Sequence, residues 1–254
     1  MPAAGACWRE VAGAYALFDG LGSPLTQTFG LGVFAEPTDD DLAEIERFFA
    51  ERGSHTHHEV SPLAGAELAG RLAARGYRPI EFTSVMHRPV RLPAGVPRDE
   101  PALASREGRG TGVVARAIAP GEEALYGDTA SRGWSASDDL AAFIREFAAI
   151  GAASRGSRAF LAELDGTPIA AGSLIVYDGV ALFAGASTVP EWRGRGAQAA
   201  LLAARMDAAV HAGCDLAMMC AAPGSASQRN AERLGFRIAY TRVKWAREPG
   251  VASA

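Results

Sequence analysis

The spacing of apolar and polar residues predicts a chain of two halves that share one order of elements. In the first half, helical spacing covers Asp39–Ala50 and Gly65–Ala74, and a strand-like run covers His55–Val60. The second half contains corresponding segments and others in front of them. Its predicted helices are Glu122–Arg132, Asp138–Ala149, Ala199–Ala212 and Ser225–Leu234, and its predicted strands are Val113–Ile118, Arg158–Asp165, Pro168–Tyr177, Val180–Val189 and Asp215–Cys220. The pattern predicts an α/β fold of the α+β type.

An internal repeat links the two halves. Residues 76–85 line up with residues 235–243 when Pro79 is left unpaired, and a glycine, an aromatic residue, arginine, isoleucine, threonine and valine recur in the same order. Each copy follows an amphipathic helix that a glycine closes. We therefore predict two related units, of which the first keeps mainly the helix–strand–helix–strand tail of the second.

The segment between the units has the composition of a linker. Arg91–Gly112 is rich in proline, glycine and charged residues and shows no periodicity. We predict one domain over residues 1–90, a linker over 91–111 and a second domain over 112–254.

Composition excludes several classes of protein. The 254 residues carry a net charge of −4, and no basic stripe or long apolar run stands out, so we expect neither nucleic-acid binding nor a membrane span. Arg9 and Glu10 interrupt the region where a secretory signal would need an apolar core. The cysteines at positions 7, 214 and 220 are odd in number and widely spaced, which argues against disulfides and a cysteine zinc site. We expect a soluble, cytoplasmic protein.

The segment between a predicted strand and a predicted helix is suited to binding an anion. It runs Arg193-Gly194-Arg195-Gly196-Ala197-Gln198, so glycines allow backbone N–H groups to turn inward at the positive end of a helix. A plain glycine turn is the alternative. A dinucleotide site is excluded because Asp215 precedes its strand instead of ending it, and a phosphate-loop NTPase is excluded because no Gly-Lys-Ser or Gly-Lys-Thr is present.

Two motifs together resemble the GNAT superfamily of N-acetyltransferases. The first is Arg193-x-x-Gly196-x-Gln198, which departs from the family only in the glutamine at its last position; that side chain must point away from the phosphates. The second is the helix end Ala231–Phe236, with its Leu-Gly-Phe. The resemblance covers about Gly112 to Arg247. It implies a mixed, mostly antiparallel sheet flanked by helices and acetyl-CoA as co-substrate, and with the repeat it implies a tandem protein.

The resemblance also implies a set of cofactor-binding residues. Backbone donors of one strand would hold the thioester, the glycine loop would anchor the pyrophosphate, and polar residues of the last helix would bind the cofactor arm or, alternatively, only cap and solvate that helix. The residues are Ser187, Thr188, Val189, Arg193, Gly194, Arg195, Gly196, Ala197, Gln198, Ser227 and Asn230.

No catalytic residue is assigned. Many family members have a tyrosine four residues before the final glycine, where this chain has Ala231, and the strand Val180–Val189 carries no carboxylate. Candidates for the acceptor pocket are Glu163, Tyr177, Tyr240 and Trp134, without a role for any one of them.

The first unit lacks the glycine loop. Its first helix begins with acidic residues, Glu36 and Asp39 to Asp41, which would repel a pyrophosphate, so we predict that this unit does not bind coenzyme A. His55, His57 and Glu59 alternate along one strand face like a metal triad, but no complementary ligand cluster accompanies them, and we predict no metal.

The sequence therefore predicts an acyl-CoA-dependent N-acyltransferase that transfers an acetyl group from acetyl-CoA to an amine. Small-molecule and peptide amines remain open as acceptors, and a homodimer is left open. The alternative is a non-catalytic protein that binds or senses acyl-CoA, because no acid or base is evident.

Overall fold

The computed structural model describes residues 5–90, 106–107, 112–134 and 138–247. Their contacts define two units. The first comprises the described residues up to Val85 together with residues 238–247, and the second comprises those from Met86 to Arg237. Within the described chain, no helix is long and apolar enough to cross a membrane.

The elements of the first 90 residues alternate after an opening run of strands. They are β1 (Cys7–Val11), β2 (Ala14–Phe18), β3 (Gln27–Phe29), α1 (Asp39–Ala50), β4 (His57–Val60), a 3-10 helix (Pro62–Ala64), α2 (Gly65–Ala74) and β5 (Tyr77–Pro89). The expectation that the first half keeps mainly the tail is therefore wrong, because β1 to β3 precede α1. These strands are short and partly exposed, so their apolar residues do not alternate cleanly.

The later elements follow the same order after an added helix pair. They are β6 (Arg106–Glu107), β7 (Val113–Ala117), α3 (Glu123–Trp134), α4 (Asp138–Ala153), β8 (Ser157–Leu164), β9 (Thr167–Tyr177), β10 (Val180–Thr188), a 3-10 helix (Pro190–Trp192), α5 (Ala197–His211), β11 (Leu216–Ala221), α6 (Ala226–Arg233) and β12 (Arg237–Arg247). Of the predicted linker, only β6 is described, and it pairs with β7; residues 91–105 and 108–111 lie outside the described residues.

The sheet of the first unit has the strand order β1, β2, β3, β4, β12, β5. Strand β12 comes from the end of the chain and pairs antiparallel with β4, with Lys244 opposite Glu59. The side chain of Glu46 on α1 accepts from Arg75 at 3.0 and 3.1 Å and forms an ion pair with Arg247 of β12 at 3.4 Å. The contact division therefore differs from the predicted domain boundaries, since β12 counts with the first unit and residues 86–89 of β5 with the second.

The sheet of the second unit runs from the end of β5 through β11, β10, β9, β8 and β7 to β6. Helix α5 packs on one face with Phe160 and Leu174, whereas α3 and α4 pack on the other with Leu161 and Ala171. Since neighbouring strand residues point to opposite faces, these two clusters bury the sheet on both sides. Strand β10 pairs parallel with β11, whereas the pairs β9–β10, β8–β9, β7–β8 and β6–β7 are antiparallel.

Candidate active site

Strand β10 changes its pairing halfway along. Its register with β9 shifts between Ala184 and Ser187, and Gly185 adopts φ +60°, which is a β-bulge. The parallel pairing of β10 with β11 runs only from Val180 to Phe183. Within the described strands, the last residues of β10 therefore pair with β9 alone, and the sheet opens toward the glycine loop.

Helix α5 begins at this opening without a cap. Its N-cap residue is Gly196, with φ +87° and ψ 0°, and no side chain accepts a hydrogen bond from the first turn. Gly194 is also left-handed, at φ +79°. Backbone N–H groups at the start of a helix need partners, and the helix dipole is positive there. An anionic ligand can supply the missing acceptors.

A cavity of about 780 Å³ lies between β10, α3, the glycine loop, α5 and α6. Nine of the eleven predicted cofactor-binding residues line it: Ser187, Thr188, Arg193, Gly194, Gly196, Ala197, Gln198, Ser227 and Asn230. The sequence interpretation thus selected residues that the fold brings together from three segments: the end of β10, the loop that leads into α5, and α6.

The other two predicted residues lie beside the cavity. The Val189 N–H donates to the Ile169 carbonyl oxygen at 2.9 Å and its side chain is buried, so this amide is not free to bind a thioester. The Arg195 guanidinium lies 4.9 Å from the centre of the Trp192 ring. Arg195 is exposed and does not belong to the described cavity lining.

The side chains of Gln198 and Arg193 turn toward β10. The Gln198 amide nitrogen donates to Thr188 Oγ1 at 2.9 Å, and Arg193 Nε donates to the Thr188 carbonyl oxygen at 3.3 Å. Gln198 therefore leaves the helix N-terminus open, as the motif requires of a long side chain at this position.

The charges around the cavity favour an anion. Among the described residues, its lining includes arginines 193 and 233 but no aspartate or glutamate. Neither arginine forms a carboxylate ion pair in the described chain, although Arg233 donates to Asn230 Oδ1 at 2.9 Å. Two cations and a helix N-terminus with no opposing carboxylate suit a phosphate-bearing ligand.

Ala231 occupies the position at which many GNAT proteins have a tyrosine, and it faces the protein core. It is fully buried in the core cluster that also contains Phe236. Ser227 and Asn230 on the same helix line the cavity instead. Any protonation of a leaving group from α6 must therefore involve residues other than position 231.

Of the four acceptor-pocket candidates, only Trp134 lines the cavity. Its Nε1 lies 3.5 Å from the Gly185 carbonyl oxygen. Glu163 instead accepts from Arg116 at 2.6 Å, in an ion-pair network with Glu122, so a structural role explains it. Tyr177 is 81% exposed beside a hairpin turn, and Tyr240 lies on β12, which belongs to the first unit.

Sequence reasoning missed several residues of the cavity wall. They are Gly133, Ala186, Trp192, Ala199, Ala226, Arg233 and Leu234. Most are small or apolar residues that carry no chemical signal. Gly133 is the informative one, because a Cβ built on it would lie 2.4 Å from Ser187 Oγ and 3.1 Å from the Thr188 nitrogen. Only glycine allows α3 to approach β10 this closely.

We expect Gly133→Ala to lower the free energy of unfolding by about 1–3 kcal/mol, because overpacking must push α3 away from β10. The cavity wall would move with it, so ligand binding should weaken as well. Gly151→Ala in α4 is the matched control. Nothing lies within 4 Å of a Cβ there, so the helix propensity of alanine should raise stability by about 0.5–1 kcal/mol. Urea unfolding of both variants tests this; equal effects would contradict it.

The corresponding helix start in the first unit is already occupied. Thr38 and Asp41 form a capping box at α1, with Asp41 Oδ2 accepting from the Thr38 N–H at 2.7 Å. These hydrogen bonds lower the pKa of Asp41. The carboxylate of Glu59, one of the three candidate metal ligands, accepts from Arg242 at 2.9 Å. No group of three or more histidine, cysteine, aspartate or glutamate residues suited to a metal occurs in the described part of the chain.

The mixed sheet thus opens at a bulged strand, beside an uncapped helix start and a cavity whose described lining contains no carboxylate. The model of the acetyltransferase (GNAT) family matches residues 123–236. This segment, slightly less than half of the chain, is thus similar in sequence to acetyltransferases of the GNAT family. No curated protein matches the chain.

Solved structures extend the likeness in fold to both units. A GCN5-related N-acetyltransferase from Kribbella flavida matches with a TM-score of 0.67 and 19% identity, over 97% of this chain and 91% of that chain. A second, from Sphaerobacter thermophilus, matches with a TM-score of 0.61 and 18% identity, over 94% and 78%. A tandem GNAT protein from the clavulanic acid biosynthesis pathway matches with a TM-score of 0.56 and 19% identity, over 84% and 70%. The predicted fold class is thereby confirmed.

Proposed function

We propose that the protein transfers an acetyl group from acetyl-CoA to an amine acceptor, a small molecule or a peptide, in the cytoplasm. The observation that carries this proposal is the start of α5. It is uncapped, led by left-handed Gly196, and opens into a cavity whose described lining has two arginines and no carboxylate. The residues present therefore fit the pyrophosphate of acetyl-CoA.

Three walls of the cavity would bind three different parts of acetyl-CoA. The N–H groups of the glycine loop and of the first turn of α5 would hold the pyrophosphate, with Arg193 and Arg233 adding positive charge. The end of β10 would line the acyl group, and Ser227 and Asn230 would bind the arm of the cofactor. When bound, acetyl-CoA supplies an activated acyl carbon for attack by the neutral amine.

The first unit lacks these features at the start of α1. Its capping box satisfies backbone N–H groups, and three aspartates add negative charge. We infer that this unit binds no coenzyme A and that one cofactor binds per chain.

Acetyl-CoA should raise the melting temperature of the protein. A ligand that binds only the folded state, at a hundred times its dissociation constant, adds about 2.7 kcal/mol to the free energy of unfolding. Thermal unfolding with millimolar acetyl-CoA, compared with the same concentration of S-acetylpantetheine, which lacks the pyrophosphate, measures this shift. No increase with acetyl-CoA would remove the basis of the proposal.

A non-catalytic acyl-CoA-binding protein is the second candidate, favoured by the burial of Ala231 and by the absence of a carboxylate from the described cavity lining. The two functions differ in one product. A transferase releases free thiol when an amine acceptor is supplied, whereas a binding protein shows the thermal shift without thiol release. A panel of amines followed by a thiol reagent separates them.

A further inference from the structure

Arg205 on α5 is a buried cation for which the described residues provide no counterion. Its exposed fraction is 1%, and no carboxylate of the described chain forms an ion pair with it. Burial lowers its pKa to about 10, so the guanidinium remains charged at neutral pH. Burying an unpaired charge is costly, and an apolar side chain of similar size would avoid that cost. The position of its donors indicates why a cation is present.

The guanidinium donates to backbone carbonyl groups at the β10 bulge. Nη1 lies 3.2 Å from the Ser173 carbonyl oxygen on β9 and 3.4 Å from that of Ala184 on β10, while Nε donates to Leu201 of its own helix at 3.1 Å. Its carbon lies 5.1 Å from the centre of the Phe183 ring. One side chain thus contacts the last residue that pairs with β11, the first residue of the bulge and the neighbouring strand.

The surrounding residues are fitted to this arrangement. A Cβ on Gly172, opposite the bulge, would lie 3.2 Å from both Cζ and Nη1 of Arg205, so glycine makes room for the guanidinium. Ser173 Oγ donates to the same Ala184 carbonyl oxygen at 3.1 Å. A bulge disrupts the ladder of strand hydrogen bonds, and buried carbonyl groups need donors from elsewhere. Arg205 and Ser173 provide them.

We propose that Arg205 is a positioning residue of the cofactor site: its guanidinium holds the β10 bulge at Ala184 and so fixes Ala186, Ser187 and Thr188, one wall of the cavity, relative to the start of α5, the opposite wall. The inference rests on the proposed function for the identity of the ligand. Its structural half, that Arg205 orders the bulge, stands without any ligand.

The test compares Arg205→Met with Arg205→Lys, which keeps the charge but loses the fork of donors. In the ligand-free protein, hydrogen exchange of the amides at 185–188 should accelerate at least about tenfold in Arg205→Met, because the carbonyl groups lose charged donors. In steady-state assays, the KM of Arg205→Met for acetyl-CoA should rise about tenfold while kcat changes far less. The KM of Arg205→Lys should lie between those of Arg205→Met and the wild type.

Leu161→Ala is the control for stability alone. Leu161 is fully buried on β8 in the second unit and lines no part of the cavity, so the variant should unfold more easily while keeping the wild-type KM and the wild-type exchange pattern at the bulge. A purely structural Arg205 would behave in the same way. If Arg205→Met does not fold, Arg205→Lys and Ser173→Ala decide, and wild-type exchange and KM in both would overturn the proposal.

The two levels of the hypothesis fail differently. If the wild-type protein neither binds nor consumes acetyl-CoA, the proposed function fails and the cofactor half of the inference fails with it, whereas faster exchange at 185–188 in Arg205→Met would still support the ordering of the bulge by Arg205. If the wild-type protein uses acetyl-CoA but Arg205→Met, correctly folded, has unchanged KM or unchanged exchange, the inference alone is overturned.

Discussion

Lowering the pH from 7 to 4 is expected to remove about 3 kcal/mol of stability from the first unit through His58 alone. This histidine is fully buried on β4, and neither ring nitrogen has a hydrogen-bond partner among the residues that the structure describes. Burial, with smaller contributions from His57, Arg75 and Arg247, lowers its pKa from 6.5 to about 3. The folded state therefore holds a neutral imidazole where the unfolded state takes up a proton.

The direction of the effect follows from the depressed pKa in the folded state. Above pH 6.5, His58 is neutral in the folded and in the unfolded state, so its titration does not change the free energy of unfolding. As the pH falls below 6.5, His58 binds a proton in the unfolded chain, whereas in the folded chain it stays neutral until about pH 3. Stability therefore declines between pH 6.5 and pH 3. One pKa unit corresponds to about 1.36 kcal/mol, and 2.5 units separate pH 6.5 from pH 4.

The variant that isolates this effect is His58→Phe, which keeps a ring beside Tyr77, now 4.8 Å away between ring centres. The free energy of unfolding is measured with urea at pH 7 and at pH 4. Its decrease between these two pH values should be about 3 kcal/mol smaller in His58→Phe than in the wild type. His55→Gln, which changes an exposed histidine three residues away on the same chain segment, should keep the wild-type fall. Parallel pH profiles for wild type and His58→Phe would contradict the assignment.

Sequence patterns predicted the elements whose residues are selected locally. Helices α1 and α2 have the predicted bounds, because each combines an amphipathic period with clear boundaries: Thr38 and Asp41 cap the first, and a left-handed glycine follows the second. The glycine loop could also be predicted from the sequence, since Gly194 and Gly196 provide a left-handed backbone that other residues rarely adopt.

The partners of β5 and β12 could not be predicted in this way. The two strands are the copies of the internal repeat, so their local sequences carry nearly the same preference, yet β12 pairs with β4 of the first unit. Strand pairing depends on distant residues such as Arg247, which meets Glu46 about 200 positions earlier in the chain. A local pattern contains no such information.

Arg205 and Gly133 were missed for a related reason. In the sequence, Arg205 is one of the chain's many arginines and lies in an alanine-rich helix. Gly133 is a residue of low helix propensity near the end of a helix. Their roles come from what the fold places against them: the carbonyl groups of a bulge in one case, and the side chain of Ser187 in the other. Both are tertiary properties of a strand that the sequence identified only as a strand.

The second large effect concerns Gly196→Asp, which should weaken acetyl-CoA binding by roughly a hundredfold or more. The new carboxylate would stand at the positive end of α5, where the proposed pyrophosphate lies. Two like charges about 4 Å apart repel by about 1 kcal/mol in water and by about 4 kcal/mol near a protein surface. Gly196→Ala adds a Cβ at the same left-handed position without charge, so it should lose less. Isothermal titration with acetyl-CoA measures both.

Backbone strain needs its own control, because any side chain at φ +87° destabilises the loop. Gly213→Asp supplies it: Gly213 lies just beyond the other end of the same helix, at φ +72°, with nothing within 4 Å of a Cβ. That variant should lose similar stability yet bind acetyl-CoA as the wild type does. Equal losses of affinity at both positions would attribute the effect to strain and not to phosphate binding.

The first unit provides the complementary test of where the cofactor binds. Asp39→Asn and Asp40→Asn remove acidic charge from the start of α1 but leave the capping box of Thr38 and Asp41 in place. If only the second unit binds coenzyme A, the double variant should keep the wild-type affinity and a stoichiometry of one acetyl-CoA per chain, because Thr38 still occupies a backbone N–H of α1. A second bound acetyl-CoA, or an affinity change as large as that of Gly196→Asp, would place a cofactor in the first unit.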